Sequence, residues 1–278
     1  MAWNHLICLV SEPTTYLYLG LLILYFYYSS EPVRQVQRDN NMQINALGYT
    51  VGVFSKQGFP IVVGLGAVAF FSDLPLFRSN IMYESIRCKR EEWIASRVIY
   101  ILEFSILYTV ALIGICIVAT DGTIQTDWGK ILNALAHGYS FNGMSLNATM
   151  NFSYMSIYTP VEALLLVGGM CSLATFSIGV MMLCLSISVG RIPAIIAGGI
   201  LPLIDVMVEN GLPYWAYRFS PFSFIRLSIM MSDGKGYFPS IGQAVLGLSM
   251  VIIVFVGMSI LLVKRNNMFI RQLFNEQY

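Results

Sequence analysis

Six apolar stretches, each near the length of a bilayer crossing, leave this chain little choice of fold. A helix needs about 20 mainly apolar residues to cross the hydrocarbon, within a range of about 17 to 25, because every backbone N–H and C=O must be satisfied inside the segment. The stretches lie at about 13–30, 58–77, 98–120, 161–189, 192–208 and 241–263. The predicted class is all-α: a polytopic membrane protein with six transmembrane helices, forming one transmembrane domain over 1–278. Composition agrees, with 56% hydrophobic and 11% charged residues against about 25% charged in soluble domains. A net charge of +1, with the basic residues scattered along loops, gives no dense face for phosphate and argues against a nucleic-acid partner. The intervals between stretches reach about 25 to 40 residues, below the domain minimum of about 50. Chemistry that requires a soluble domain is therefore expected from a partner.

The stretches differ in character. The first carries Tyr16 and Tyr18 at one end and Tyr25, Tyr27 and Tyr28 at the other, the placement of aromatic belts at two interfaces. The second is rich in glycine, the fourth is long enough to tilt or kink at Gly168 and Gly169, and the fifth is interrupted by Pro202. No Lys or Arg precedes the first stretch and no small-residue cleavage site follows it, so it is expected to remain as an anchor. The five cysteines, an odd number without CxxC spacing, read as small buried hydrophobes.

Orientation follows from the segment Ser72 to Arg97, where Arg78, Arg87, Lys89, Arg90 and Arg97 supply 5 of the 16 Lys and Arg. Short loops rich in these residues stay cytoplasmic. The expected location is the cell membrane with both termini cytoplasmic, which places Arg191, Lys264, Arg265 and Arg271 on the same side; Arg34 and Arg38 oppose the assignment. The loop 121–160 then faces outside, with the patterns Asn147-x-Thr149 and Asn151-x-Ser153. Met144, Met150 and Met155 in that loop lack a neighbouring Cys or His pair, so apolar packing is expected there and no metal site.

Two segments outside the crossings invite function. Residues 80–96 read as a helix on the cytoplasmic surface, with Met82, Ile86 and Trp93 on one face and Glu84, Arg87 and Glu91 on the other. Docking into a groove on a partner and a solvated connecting loop held to headgroups both fit this pattern. Residues 210–234 are apolar and aromatic but broken by Pro213, Arg218, Pro221 and Arg226, which suits a re-entrant or interfacial element ahead of the sixth crossing. An outer gate and an interfacial cap both remain open for it. Charges within spans cost about 2.5 to 3.5 kcal/mol on insertion scales at mid-span. Glu103 is a candidate for lining a path, with a structural role as its alternative; Asp205 and Glu209 sit near the outer end of the fifth stretch.

Missing motifs narrow the chemistry. There is no GxxxxGK[ST] phosphate loop, so energy from nucleotide is not harvested by that route in this chain. The two histidines, His5 and His137, fall on opposite sides of the predicted bilayer and build no HExxH zinc site. Glu91, Glu92 and Arg97 approach the EExxxR pattern of glutamate-type intramembrane proteases, one residue out of register and without that family's histidine-bearing helices.

Two local matches set within the six-span layout resemble the permease subunit of a type-2 ATP-binding-cassette (ABC) transporter. FSDLP at Phe71 to Pro75, followed by MYESIRCKREEWIASRVIYIL, is similar to the end of span 2, the coupling loop and the start of span 3 in that family. LPYWAYRFSPFSFIRLSI at Leu212 to Ile229 is similar to its Pro-containing segment before the last span. The resemblance implies a permease that moves, as an exporter, an amphipathic or hydrophobic substrate. It implies two permeases, a second copy or a sister subunit, on separate ABC ATPase subunits that hold ATP and Mg, so this chain binds no cofactor and is not itself an enzyme. Met82, Tyr83, Glu84, Ile86, Arg87, Lys89, Arg90, Glu91 and Trp93 would couple to the ATPase, and Pro213, Trp215, Pro221, Phe222 and Arg226 would form the outer, re-entrant gate. An intramembrane enzyme, or a six-span scaffold or sensor without transport activity, are the alternatives.

Overall fold

Thr159 and Glu162 cap each other's backbone: the Thr159 N–H donates to Glu162 Oε2 at 2.9 Å and the Glu162 N–H to Thr159 Oγ1 at 3.4 Å. With Pro160 in the first turn, this reciprocal box starts the helix that organises the molecule. In the computed structural model, which describes residues 13–40, 42–72, 90–139, 149–230 and 240–265, the elements in chain order are α1 (Pro13–Asn40), α2 (Ala46–Phe54), α3 (Phe59–Phe71), α4 (Arg90–Thr120), α5 (Gly129–Ala136), α6 (Phe152–Met155), α7 (Pro160–Ser188) and α8 (Arg191–Glu209). Two 3₁₀ turns (Tyr214–Phe219 and Ser223–Ile225), α9 (Leu227–Met230) and α10 (Ile241–Arg265) complete the order. No strand occurs among the described residues, and the one β-type contact is a bridge between Asn45 and Thr123.

Helix α7 is the hub, packing against α2, α3, α4, α8, α10 and the second 3₁₀ turn. Its most apolar 18-residue window is 78% buried, against 11% for α10. Leu246, Met250, Ile253, Val254 and Leu261 of α10 instead stay exposed, as suits a helix whose outer face meets lipid rather than water.

By length and apolar composition, four helices can cross a membrane: 91–120, 160–188, 191–209 and 241–264. The pair α2 and α3 passes the same test together, bent by 80° at a short break, and gives five if counted as one span. This differs from the six stretches read from the sequence in two places. Helix α1 runs ten residues beyond the expected end at Ser30, and its tyrosines and hydroxyl residues keep it outside the apolar set. Its extension is packed: Val33 and Val36 are buried. Pro32 interrupts the ladder inside the helix, and nearby donors are supplied to the Tyr27 carbonyl by Arg34 Nη2 at 2.7 Å and Ser30 Oγ at 3.1 Å.

The second difference concerns the stretch 58–77. It is not one straight span preceded by a loop; residues 46–54 form a separate helix, every residue of which is buried. Asn45 starts it by accepting from the Leu47 N–H at 3.0 Å, and its amide donates to the carbonyls of Gln125 and Asp127. The chain turns at Gly58, whose φ of 83° is the left-handed conformation a side chain disfavours, and Pro60 opens α3. Gly64 of α3 then lies against α8: a Cβ there would overlap the Pro202 ring and come within 2.8 Å of Phe222. Pro202 therefore does not end α8, which spans 19 residues and runs on past it to Glu209. Helix α7 likewise runs unbroken through Gly168 and Gly169.

The contacts define two ends. At one, Arg191 Nε donates to the Ser72 carbonyl at 2.8 Å and Lys264 pairs with Glu91 at 2.8 Å, joining the start of α8 to the end of α3 and the end of α10 to the start of α4. At the other, Ser30 Oγ donates to the Ala119 carbonyl and Trp128 Nε1 to the Tyr158 carbonyl, both near 3 Å. Trp128 and Leu132 of the segment after α4 cover Gly48 of α2. In the same segment Met155 is buried in the core and Met150 packs against it, the apolar packing expected of these two, while Met144 lies outside the described residues. Burial also pushes the Tyr154 phenol well above its ordinary pKa.

Candidate functional site

Helices α2 and α8 end close together, and a helix C-terminus carries unsatisfied carbonyls and partial negative charge. Into this place α8 brings Asp205 and Glu209, one turn apart on its last two turns. Two carboxylates at a helix C-terminus oppose the dipole and are costly when buried. What compensates them is Arg226, from the irregular segment between α8 and α10. Its Nη1 donates to Asp205 Oδ2 at 3.1 Å and also bonds Glu209 Oε1, while its Nε donates to the Ser55 carbonyl at the α2–α3 break at 3.2 Å. All three charged side chains are largely buried, at 8%, 0% and 15% exposure for Arg226, Asp205 and Glu209.

Serines complete the arrangement. Ser223 Oγ donates to Asp205 Oδ1 at 2.7 Å, and Ser228 Oγ to the Ser55 carbonyl at 3.2 Å. Asp205 is thus satisfied at both oxygens. Glu209 is not: its Oε2 is buried without a hydrogen-bond partner, as is the Ser55 hydroxyl. Two carboxylates face one guanidinium, so the cluster has spare acceptor capacity on the Glu209 side. Among the described residues no group of His, Cys, Asp and Glu could hold a metal ion.

Of the gate residues named from the sequence, four take defined roles in this segment. Pro213 precedes the first 3₁₀ turn, Trp215 is exposed and meets the Phe219 ring edge-on at 5.9 Å, Phe222 is fully buried against Gly64, and Arg226 anchors the cluster. Pro221 links the two turns and is half-buried. The segment is too broken to be a crossing helix, as its prolines suggest.

The coupling set is placed only in part. Met82, Tyr83, Glu84, Ile86, Arg87 and Lys89 lie outside the described residues. Arg90 opens α4, Glu91 is exposed and pairs with Lys264, and Trp93 is buried with the Arg97 guanidinium 5.3 Å from its ring centre. A surface helix ending at Ser96 is therefore corrected: residues 90–96 are the first turns of α4, because neither Pro nor Gly interrupts them and Trp93 and Ile94 pack into the core. Glu103 stands farther along α4, outside the Arg226 cluster, with Oε2 buried and without a hydrogen-bond partner.

Reading the sequence found Asp205, Glu209 and Arg226 separately and missed that they meet. The available signal was the i,i+4 spacing of the two acids, which places them on one helix face, together with an Arg in an apolar segment that must find an anion. Ser55, Ser223 and Ser228 carry no comparable signal. No family model, curated protein or solved structure matches this chain.

Proposed function

We propose that the chain is the membrane-spanning permease subunit of an ABC-type transporter, exporting an amphipathic or hydrophobic molecule with energy from a separate ATPase. The observation that carries this reading is the pairing of a broken helix with an irregular segment across a buried ionic cluster at one end of an apolar bundle. Irregular backbone at membrane depth is tolerated where it is buried in protein or lines a polar path. Packed interfaces take discrete arrangements and do not deform continuously, which is what transport by alternating states requires. The resemblance of residues 71–102 and 212–229 to the coupling and outer segments of such permeases points the same way.

In this reading the end that holds Ser72, Glu91, Arg191 and Lys264 faces the cytoplasm and meets the ATPase, and a second permease, identical or sister, completes the pump. Solubilisation in mild detergent with neighbouring subunits is expected to retain an ATPase, and ATP-driven movement of a lipophilic dye out of reconstituted vesicles' accessible leaflet is expected to fall strongly in Arg87→Glu. Trp93 is unsuited to that test because its burial makes truncation a packing defect. Retention of no ATPase, together with an activity of the lone chain, would instead identify a membrane enzyme.

A further inference from the structure

We propose that Glu103, on the lipid-facing side of α4, binds the protonated amine of a cationic amphiphile that reaches it from within the bilayer. The claim concerns binding alone and goes beyond the transport reading; where that reading holds, it narrows the substrate to molecules that join an amine to an apolar body. Glu103 lies five residues past Val98, where the apolar run of α4 begins, and so about 7 to 8 Å into that run along the helix. The side chains around it on α4, Ile99, Leu102, Ile106, Leu107 and Val110, are all apolar and all exposed, so this side of the helix meets lipid. Glu103 Oε2 is nevertheless buried, and no donor or cation pairs with the carboxyl among the described residues.

The groups that could compensate Glu103 are engaged elsewhere. Ser105 and Thr109 donate to carbonyls of their own helix, at Ile101 and Ser105, and the Tyr108 hydroxyl donates to the Val63 carbonyl. Arg97 is six residues away, which puts it about 120° round the helix, and it is fully buried with its guanidinium over Trp93. Lys264 pairs with Glu91. A carboxylate left alone in a span is costly, so a ligand that neutralises it must dissolve in the bilayer and carry positive charge. A hydrated ion would have to shed its water with no further oxygen ligand in return, and among the described residues no group of His, Cys, Asp and Glu could hold a metal ion. A zwitterionic phospholipid carries a phosphate beside its ammonium, which this carboxylate repels. An amine without that phosphate donates to Glu103 through a charge-assisted hydrogen bond and lays its apolar body along Ile106, Leu107 and Val110. The net charge of the chain is +1, so no general attraction for cations accounts for such a preference.

The experiment places the full chain in phosphatidylcholine nanodiscs at neutral pH with two spin-labelled probes of equal chain length, a long-chain primary amine and the corresponding alcohol. The protein-immobilised fraction of each is read by electron paramagnetic resonance. The parent protein is expected to hold the amine about tenfold more tightly than the alcohol, and Glu103→Gln to bring that ratio to about one. Glu103→Gln takes a charge out of a span, so folding is not at risk, and Glu103→Asp, which keeps the charge, is expected to keep part of the preference. A readout free of any substitution is photolabelling of the unmodified protein by a long-chain amine with a diazirine in its chain, expected to concentrate on residues 102–110. Neither readout involves ATP or movement of the probe, so failure of the transport reading leaves this site standing. Equal binding of amine and alcohol to the parent would mean that a proton or a second copy of the chain already neutralises Glu103, and would overturn the site. A preference that survives Glu103→Gln, or photolabelling spread evenly over α4, α8 and α10, would overturn it as well.

Discussion

The two ends of the bundle are both tied by ion pairs, and the pairs have opposite character. At one end Lys264 and Glu91 meet at 2.8 Å with 54% and 65% of their side chains exposed. At the other, Arg226 meets Asp205 and Glu209 with almost nothing exposed. The first joins two regular helices that already pack on one another, α4 and α10. The second joins the irregular segment 213–230 to the α2–α3 break and to the end of α8. Exposure decides what each can do: in water an ion pair adds little because solvent competes for both charges, whereas a buried set is costly to assemble and more costly to leave half-assembled. The difference teaches that buried charge beside helix breaks can hold irregular backbone in place, whereas an exposed pair between intact helices only trims stability.

The largest expected effect comes from leaving the buried set half-assembled. Arg226→Met strands two carboxylates at the end of α8, where the helix dipole also opposes them, and should cost about 3 to 5 kcal/mol. Thermal unfolding in detergent, followed by the fluorescence of the four tryptophans, checks it. A loss under about 1 kcal/mol would mean that water already reaches Asp205 and Glu209 in the native protein, and the contrast between the two ends would disappear.

A smaller effect separates the serine contribution from the ionic one. Ser223→Ala removes the 2.7 Å donor to Asp205 Oδ1 but keeps Arg226 on Oδ2. Hydrogen bonds to a charged, buried acceptor contribute about 1.5 to 3 kcal/mol, so the expected loss is about half that of Arg226→Met. Combining both substitutions should cost less than their sum, since they share Asp205 as partner. Strict additivity in a double-mutant cycle would show that the two contacts are independent, and that the site is not one network.

How much of this was legible beforehand depends on which forces set each element. The long apolar helices α4, α7, α8 and α10 follow from length and hydropathy alone, because a run such as Ile241–Val263 has no other way to satisfy its backbone in lipid. Their ends were close to those expected except at the start of α4, which begins at Arg90 and not at residue 98. The bend between α2 and α3 was not legible, although Gly58 and Pro60 stand at it, because the same two residues equally mark a loop before a span. What makes residues 46–54 a buried helix is tertiary: Asn45 bonding across to Gln125 and Asp127, and Trp128 packing on Gly48. Pro202 misled in the other direction. It promised an interruption, and the missing side chain of Gly64 gave its ring a seat inside a continuous helix. The candidate site failed to appear as a unit for the same reason, since its members come from three elements whose meeting depends on that bend.

The smallest effect is expected at the exposed end, and it tests the comparison from the opposite side. Lys264→Met removes the cation that meets Glu91, in a pair more than half exposed on both sides. Such pairs contribute about 0 to 1 kcal/mol, and what they contribute is screened as salt rises past about 0.1 M. Unfolding of Lys264→Met should therefore lie within about 1 kcal/mol of the parent at low salt and coincide with it at about 1 M. The buried cluster should respond oppositely, with the cost of Arg226→Met nearly unchanged across the same range, because ions do not enter a site from which water is excluded. A salt-insensitive loss at Lys264 would show that its contact with Glu91 is shielded by groups outside the bundle seen here, and would turn that end into a second buried ionic site.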